Sequence, residues 1–280
     1  QRQMCIRDRS TTGDSTDFGD CLSITTSSAA CASPTRGVMA GGETASNTYS
    51  RKMDYITMAT KGDAKEFGEL TSTVGRDPGG MSSSTRGIFG GGRTSPASAT
   101  SDIIDYITIA STGNATDFGD TNAAHAAHGG AVASSTRGVY TIGGVPGYTN
   151  TIEFITIATA GNGQDFGDLT VDANRGYQDR GSICDTTRGI FSGGFVGSNV
   201  LSNTIEFITM ATTGNSTNFG DLPVARRGGF GTSNSRLAIF AGGYTPGSFK
   251  NAIDQVTIQS TGNATDFGDL VFAIQESSGS

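Results

Sequence analysis

A four-residue string, Asp-Phe-Gly-Asp, returns along the chain and restricts its folding options more than any other feature. It stands at 17–20, 117–120, 165–168 and 266–269, with the variants Glu66-Phe67-Gly68-Glu69 and Asn218-Phe219-Gly220-Asp221. The phenylalanines are Phe18, Phe67, Phe118, Phe166, Phe219 and Phe267, separated by 49, 51, 48, 53 and 48 residues. A period near 50 with one aromatic per copy indicates repeat architecture. Units this short cannot bury an apolar face alone and must stack on their neighbours.

Each copy divides into four short segments. The first follows Phe-Gly-Asp, is loosely kept and ends at Ser/Thr-Arg: Arg36, Arg86, Arg137, Arg188 and Arg236. The second is apolar and closes on two glycines, as in Gly37-Val38-Met39-Ala40-Gly41-Gly42. The third is the most regular, as in Asp105-Tyr106-Ile107-Thr108-Ile109-Ala110, and the fourth carries the Phe. Enrichment in Ile, Val, Thr, Tyr and Phe between Gly, Asn and Ser is strand grammar. The third segment has apolar residues pointing both ways, which suits a strand covered on both faces. Thr-Gly-Asn between the third and fourth segments supplies residues that tolerate positive φ, as a tight hairpin requires. The expected fold is therefore all-β, with four antiparallel strands per copy arranged radially as a propeller blade.

Composition agrees. There are 42 glycines, no Trp, and charged residues make up only 16%, which favours short strands and tight turns over helices. The net charge of −7 speaks against nucleic acid or anionic lipid as a partner. No apolar run reaches the length of a membrane-inserted helix. Cys5, Cys21, Cys31 and Cys184 do not follow the repeat, so they read as free thiols. Asn114, Asn215 and Asn263 each begin a glycosylation pattern, but at one repeat position, where turn chemistry explains them better.

Five copies are complete, at about 21–70, 71–120, 121–168, 169–221 and 222–269, with partial copies at both ends. Either five blades close and the ends are surplus, or a larger ring has lost a piece; the surplus favours a truncated ring of six or more. Residues 1–9, Gln-Arg-Gln-Met-Cys-Ile-Arg-Asp-Arg, stand where an Ile-Asp-Tyr-Ile-Thr-type strand is due. They resemble translated adapter read-through and read as a non-native leader, leaving 10–280 as one propeller.

The pattern resembles the kelch family of β-propellers. The resemblance rests on Gly41-Gly42 and its four equivalents, on the aromatics Tyr55, Tyr106, Phe154 and Phe207, and on the large aromatic of the fourth strand. The family ordinarily has Trp at that last position; this chain has Phe. The match covers roughly residues 10–272. The Ile-Thr-Ile-Ala…Thr-Gly-Asn-Ala-Thr-Asp-Phe-Gly-Asp wording looks like repeat proteins of marine bacteriophages, taken as virion or tail-fibre components. That resemblance implies an extracellular virion location and other virion proteins as partners.

Most repeated residues read as structural. The Phe is expected in the inter-blade core, where Phe→Ala costs about 3–5 kcal/mol. The five arginines read as partners of repeated carboxylates, for example Arg86 with Glu69 or Asp105; the alternative is a circle receiving an anion. Oxygen ligands three apart (Asp14, Asp17, Asp20) do not match a calcium loop. His125 and His128 read as a surface or strand-edge pair, since zinc needs more ligands. No catalytic motif or cofactor fingerprint is present.

Function is expected on the variable connections after strands two and four. These carry Tyr49, Tyr148, Tyr177, Phe195, Tyr244 and Phe249 among Ser, Asn, Thr and Gly. Such a surface suits a cell-surface glycan or a protein, although loop aromatics also fold back on their own rim. The reading is a non-enzymatic adhesion or structural module. The alternatives are a glycan lyase or hydrolase using Glu43, Asp172, Asp179 or Asp185, and a cellular protein-interaction propeller.

Overall fold

A computed structural model describes residues 3–6, 16–45, 48–72, 74–76, 78–94, 99–125, 130–142, 149–170, 181–196 and 200–274. Its regular structure is all strand. Five antiparallel sheets, each with four principal strands in sequence order, lie in a ring and form a five-bladed β-propeller. Blade one is Ala29–Ala32, Arg36–Ala40, Lys52–Thr57 and Lys65–Glu69. Blade two is Gly79–Ser82, Arg86–Gly90, Ala99–Thr108 and Thr116–His125. Blade three is Ala131–Ala133, Arg137–Thr141, Thr151–Thr156 and Gln164–Asp168. Blade four is Gly181–Cys184, Arg188–Ser192, Thr204–Thr209 and Thr217–Asp221. Blade five is Phe230–Ser233, Leu237–Ala241, Ser248–Thr257 and Thr265–Ile274. Five blades are present in full. The additional copy is represented by one hairpin, Gln3–Ile6 paired with Thr16–Asp20.

The Phe-Gly-Asp motif works as a bulge. In blade one Met53 faces Gly68 while Asp54 faces Glu66, so Phe67 is the extra residue. The other four blades and the N-terminal hairpin show the same shift. A bulge takes one peptide out of the ladder and re-aims its groups. Here the freed Phe67 carbonyl accepts from Gly113 N of the next blade at 2.8 Å, and Ala115 N donates to Glu69 O at 2.8 Å. The Asn114 side chain completes the clip by accepting from Glu69 N at 3.1 Å. The clip recurs where Phe18, Phe118, Phe166 and Phe219 meet Gly62, Gly161, Gly214 and Gly262, with Asp63, Asn162, Asn215 and Asn263 as side-chain acceptors. The Asn of Thr-Gly-Asn thus serves the seam as well as the turn. Gly68 has φ +154°, and a Cβ there would overlap the Gly113 carbonyl, so both backbone and space require glycine.

The phenylalanine side chains fill the seams. Phe18, Phe67, Phe118, Phe166 and Phe219 are only 2–7% exposed. Four of them meet the third-strand aromatic edge to face, at 5.9–6.0 Å between centroids. The repeated arginines belong to the same seams, which corrects the expected carboxylate pairing. Arg36, Arg86, Arg137 and Arg188 lie 4.3–4.7 Å over Tyr55, Tyr106, Phe154 and Phe207. Their Nη1 groups donate to the carbonyls of Ile109, Ile157, Met210 and Ile258, one blade further on, at 2.9–3.1 Å. A guanidinium offers a planar cation to stack and a fixed fork of donors, so a single side chain ties two blades.

Carboxylates also act across seams. Asp105 accepts from Thr71 N and Oγ1 at 2.9 and 2.6 Å. Glu153 accepts from Asn122 N at 3.0 Å, and Glu206 from Thr170 N at 2.8 Å and from its hydroxyl. In blade five a buried ion pair, Arg226 to Asp254 at 2.7 Å, takes this place. Burial pushes the carboxyls of Asp54, Asp105, Glu153 and Asp254 above the ordinary range, opposed at Asp254 by Arg226.

Candidate functional site

The connections after strands two and four do share a rim. Thr26 bridges Glu43, and Arg227 bridges Tyr244, each pairing a blade-to-blade linker with a strand two-to-three loop. Short extra ladders brace this rim: Glu43–Ala45 with Thr48–Tyr49, Phe195–Val196 with Val200–Leu201, and Tyr244–Thr245 with Ser248–Phe249.

Three of the six expected aromatics converge here. Arg227 lies 5.3 Å from the Phe195 ring and 5.0 Å from the Tyr244 ring, and Tyr244 meets Phe249 at 5.8 Å. Phe195 comes from blade four, Arg227 from the linker, and Tyr244 and Phe249 from blade five, so the seam assembles the group. Phe195, Tyr244 and Arg227 are half-buried, while Phe249 is 53% exposed. Gly247 N donates to the Tyr244 hydroxyl at 2.9 Å, which orients that ring. Arg226, one residue earlier, turns inward to Asp254 and donates to Phe240 O at 3.2 Å. The adjacent arginines divide the work: one anchors the linker and one supports an aromatic surface. The sequence reading missed Arg227 because it lies in the loosely kept linker, where of the arginines described only Arg76 takes the same ladder position, facing Arg93 as Arg227 faces Tyr244. Tyr49 is buried in blade one, apart from this group. Tyr148 and Tyr177 lie outside the described residues.

The opposite rim holds a depression on the ring axis. The strand one-to-two turns of all five blades line a cavity of about 550 Å³, with Ser33, Ser83, Ser134, Asp185 and Asn234 among its walls. These five side chains are engaged in their own turns. Ser33, Ser83 and Ser134 accept from Arg36 N, Arg86 N and Arg137 N at 3.1–3.2 Å. Asp185 Oδ1 accepts from Thr187 N and Arg188 N at 2.7 Å, and Asn234 Oδ1 from Arg236 N and Leu237 N at 2.8 Å. The amide donors hold the Asp185 carboxyl below the ordinary range although its partial burial acts the other way. Asp185 therefore belongs to this rim and not to the variable one. Asp172 and Asp179 lie outside the described residues.

His125 is not a surface residue. It is fully buried, its Nδ1 is 3.0 Å from Ala123 O, and its ring meets Tyr140 at 6.2 Å. Burial lowers its proton affinity. His128 lies outside the described residues. Cys31 and Cys184 are free thiols, with burial pushing the Cys31 thiol up to about 12. Among the described residues no three His, Cys, Asp or Glu side chains are grouped to hold a metal ion. No described helix is long and apolar enough to cross a membrane. Comparison with protein-family models and with curated proteins gives no match.

Proposed function

We propose that the chain is a non-enzymatic binding or structural module that presents its variable rim to a cell-surface glycan, with a protein surface as the alternative ligand. The observation that carries this reading is the Phe195–Arg227–Tyr244–Phe249 group. Aromatic faces pack on the C–H faces of sugars, and an adjacent guanidinium and hydroxyl supply directional hydrogen bonds. A half-exposed Phe249 costs solvation free energy when the rim is unoccupied, and a flat polar ligand recovers it. Likeness in wording to marine bacteriophage repeat proteins supports a place in a virion or tail fibre, with other virion proteins as neighbours. The kelch-like spacing supports a recognition scaffold.

The enzyme reading has less behind it. Of its four acids, Asp185 sits on the other rim with its carboxylate engaged by turn amides, Glu43 stands on the variable rim, and Asp172 and Asp179 lie outside the described residues. The test is binding of the purified chain to an array of bacterial surface polysaccharides, with chromatography of the supernatant. Saturable binding that falls at least tenfold in Phe249→Ala and Tyr244→Ala, with no released product, is the expected result. Product release would transfer the case to the enzyme, and unchanged binding in both variants would move the site elsewhere.

A further inference from the structure

One sector of the variable rim differs in sign from the chain as a whole. The blade-four loop 193–204, the linker 222–229 and the blade-five loop 242–253 contain Arg226, Arg227 and Lys250 but no Asp or Glu, on a chain of net charge −7. The acid that follows the blade-five loop, Asp254, is held by Arg226 at 2.7 Å with both side chains buried. That pair is neutral, so Arg227 and Lys250 set the sign of these segments. The comparable arginines Arg76 and Arg93 share their segments with Asp77 and Asp102.

Backbone contacts fix where Arg227 stands. Gly194 N donates to Arg226 O at 3.0 Å, Arg226 N to Ser202 O at 3.2 Å, and Arg227 and Tyr244 exchange bonds at 3.1 and 2.6 Å. The linker is thus seated against both loops. It comes this close because Gly193 and Gly243 have positive φ and no side chain; a Cβ at either would overlap the carbonyl of Arg226 or Arg227. The Arg227 guanidinium then lies over the rings of Phe195 and Tyr244, at 5.3 and 5.0 Å from their centroids. A stacked guanidinium turns its faces to the rings. Its N–H groups lie in its plane, as a fork whose spacing matches the two oxygens of a carboxylate. The same three segments present Val200, Val224 and Phe249 to solvent.

We propose that this sector selects acidic glycans: a uronate residue packs the C–H face of its ring on Tyr244 and Phe249 and directs its carboxylate to Arg227. The inference rests on the glycan reading above and adds the charge of the ligand. A neutral sugar covers the aromatic surface but gives the guanidinium no counter-charge, and a site built around a charged group discriminates against the analogue that lacks its partner. A cationic ligand meets Arg227 and Lys250 and is repelled. Nucleic acid is also anionic, but it needs a row of cations along its backbone and meets the negative field of the whole chain. One uronate needs one fork.

The test uses the full chain on an array of bacterial surface polysaccharides, with each uronate polysaccharide present before and after reduction of its carboxyl groups to alcohols. Reduction leaves the sugar rings and linkages in place. The expected result is saturable binding to a uronate polysaccharide that falls at least tenfold on reduction. It should fall at least tenfold in Arg227→Gln and recover in part in Arg227→Lys, with melting midpoints close to that of the unsubstituted chain. Arg227→Gln should make no further difference to the reduced polysaccharide. Equal weakening of both forms would show a merely structural arginine and overturn the proposal. Binding confined to neutral polysaccharides, or binding that survives reduction, overturns the acidic class; if it still falls in Phe249→Ala, the glycan reading stands. No binding to any polysaccharide overturns both.

Discussion

Phe118→Ala and Phe267→Ala alter the same residue of the same motif in two environments. Phe118 is 3% exposed and meets Tyr106 edge to face at 5.9 Å. Its truncation removes about 3 kcal/mol of transfer free energy and leaves a cavity between two rigid sheets. Backbone clips hold those sheets apart on either side, so little collapse is possible and the total is about 3–5 kcal/mol. Phe267 is 54% exposed, and among the described residues no turn of another blade is clipped to its carbonyl. Its truncation loses about half of the transfer component and opens no cavity, for a total of about 1 kcal/mol. The assay is urea unfolding followed by circular dichroism, comparing midpoints at constant slope. A difference of at least about 2 kcal/mol between the variants is expected. Equal losses would refute the argument, because the stabilising effect of this phenylalanine would then lie within its own blade and not in the seam.

Other consequences follow from the same contacts. Gly167→Val should lower the unfolding midpoint far more than Gly268→Val: both have positive φ, but only the Gly167 Cβ would overlap a neighbouring carbonyl, that of Gly214; equal effects in urea melts would discount the clip. Arg226→Ala leaves Asp254 buried without its cation and should cost about 3–5 kcal/mol, whereas Arg227→Ala should cost under about 1 kcal/mol and show instead as weakened ligand binding. For pH, a carboxyl whose folded pKa is raised stabilises the fold fully below the ordinary carboxylate range, and this stabilisation is lost as pH rises through the raised value. Asp54, Asp105, Glu153 and Asp254 are such groups, so melting temperature should climb as pH falls from neutrality toward the ordinary carboxylate range. Asp185 is depressed, and its contribution is lost as pH falls below 3.8 through its folded value, so the profile should turn down there. A melting temperature that falls steadily from neutrality would contradict the assignment.

Much of the site was hidden by the same logic that made the fold visible. Repetition marks what every blade needs, and it drew attention to Phe, Arg and Gly-Gly. Recognition needs what the blades do not share. Arg227 shares its ladder position with Arg76, which faces Arg93 as Arg227 faces Tyr244, but its place beside the Phe195 and Tyr244 rings emerges only from the meeting of two blades. Tyr49 occupies a similar loop but is buried in its own rim; composition does not distinguish the two outcomes. The repeated arginines were misjudged for a related reason. Charge suggests a carboxylate, but a guanidinium set between an aromatic ring and a carbonyl of the next blade is held without one.

The linear chain determined the four strands per copy, the radial arrangement and the burial of five of the six motif phenylalanines, because a period near 50 with one large aromatic per unit has few ways to exclude water. Tertiary structure decided how adjoining units are fastened. Whether a bulged Phe carbonyl finds a Gly amide, or an arginine finds a carbonyl 70–73 residues later, depends on the rotation between sheets. That rotation is a sum of twists and packing contacts over the whole ring, and no local stretch of residues encodes it.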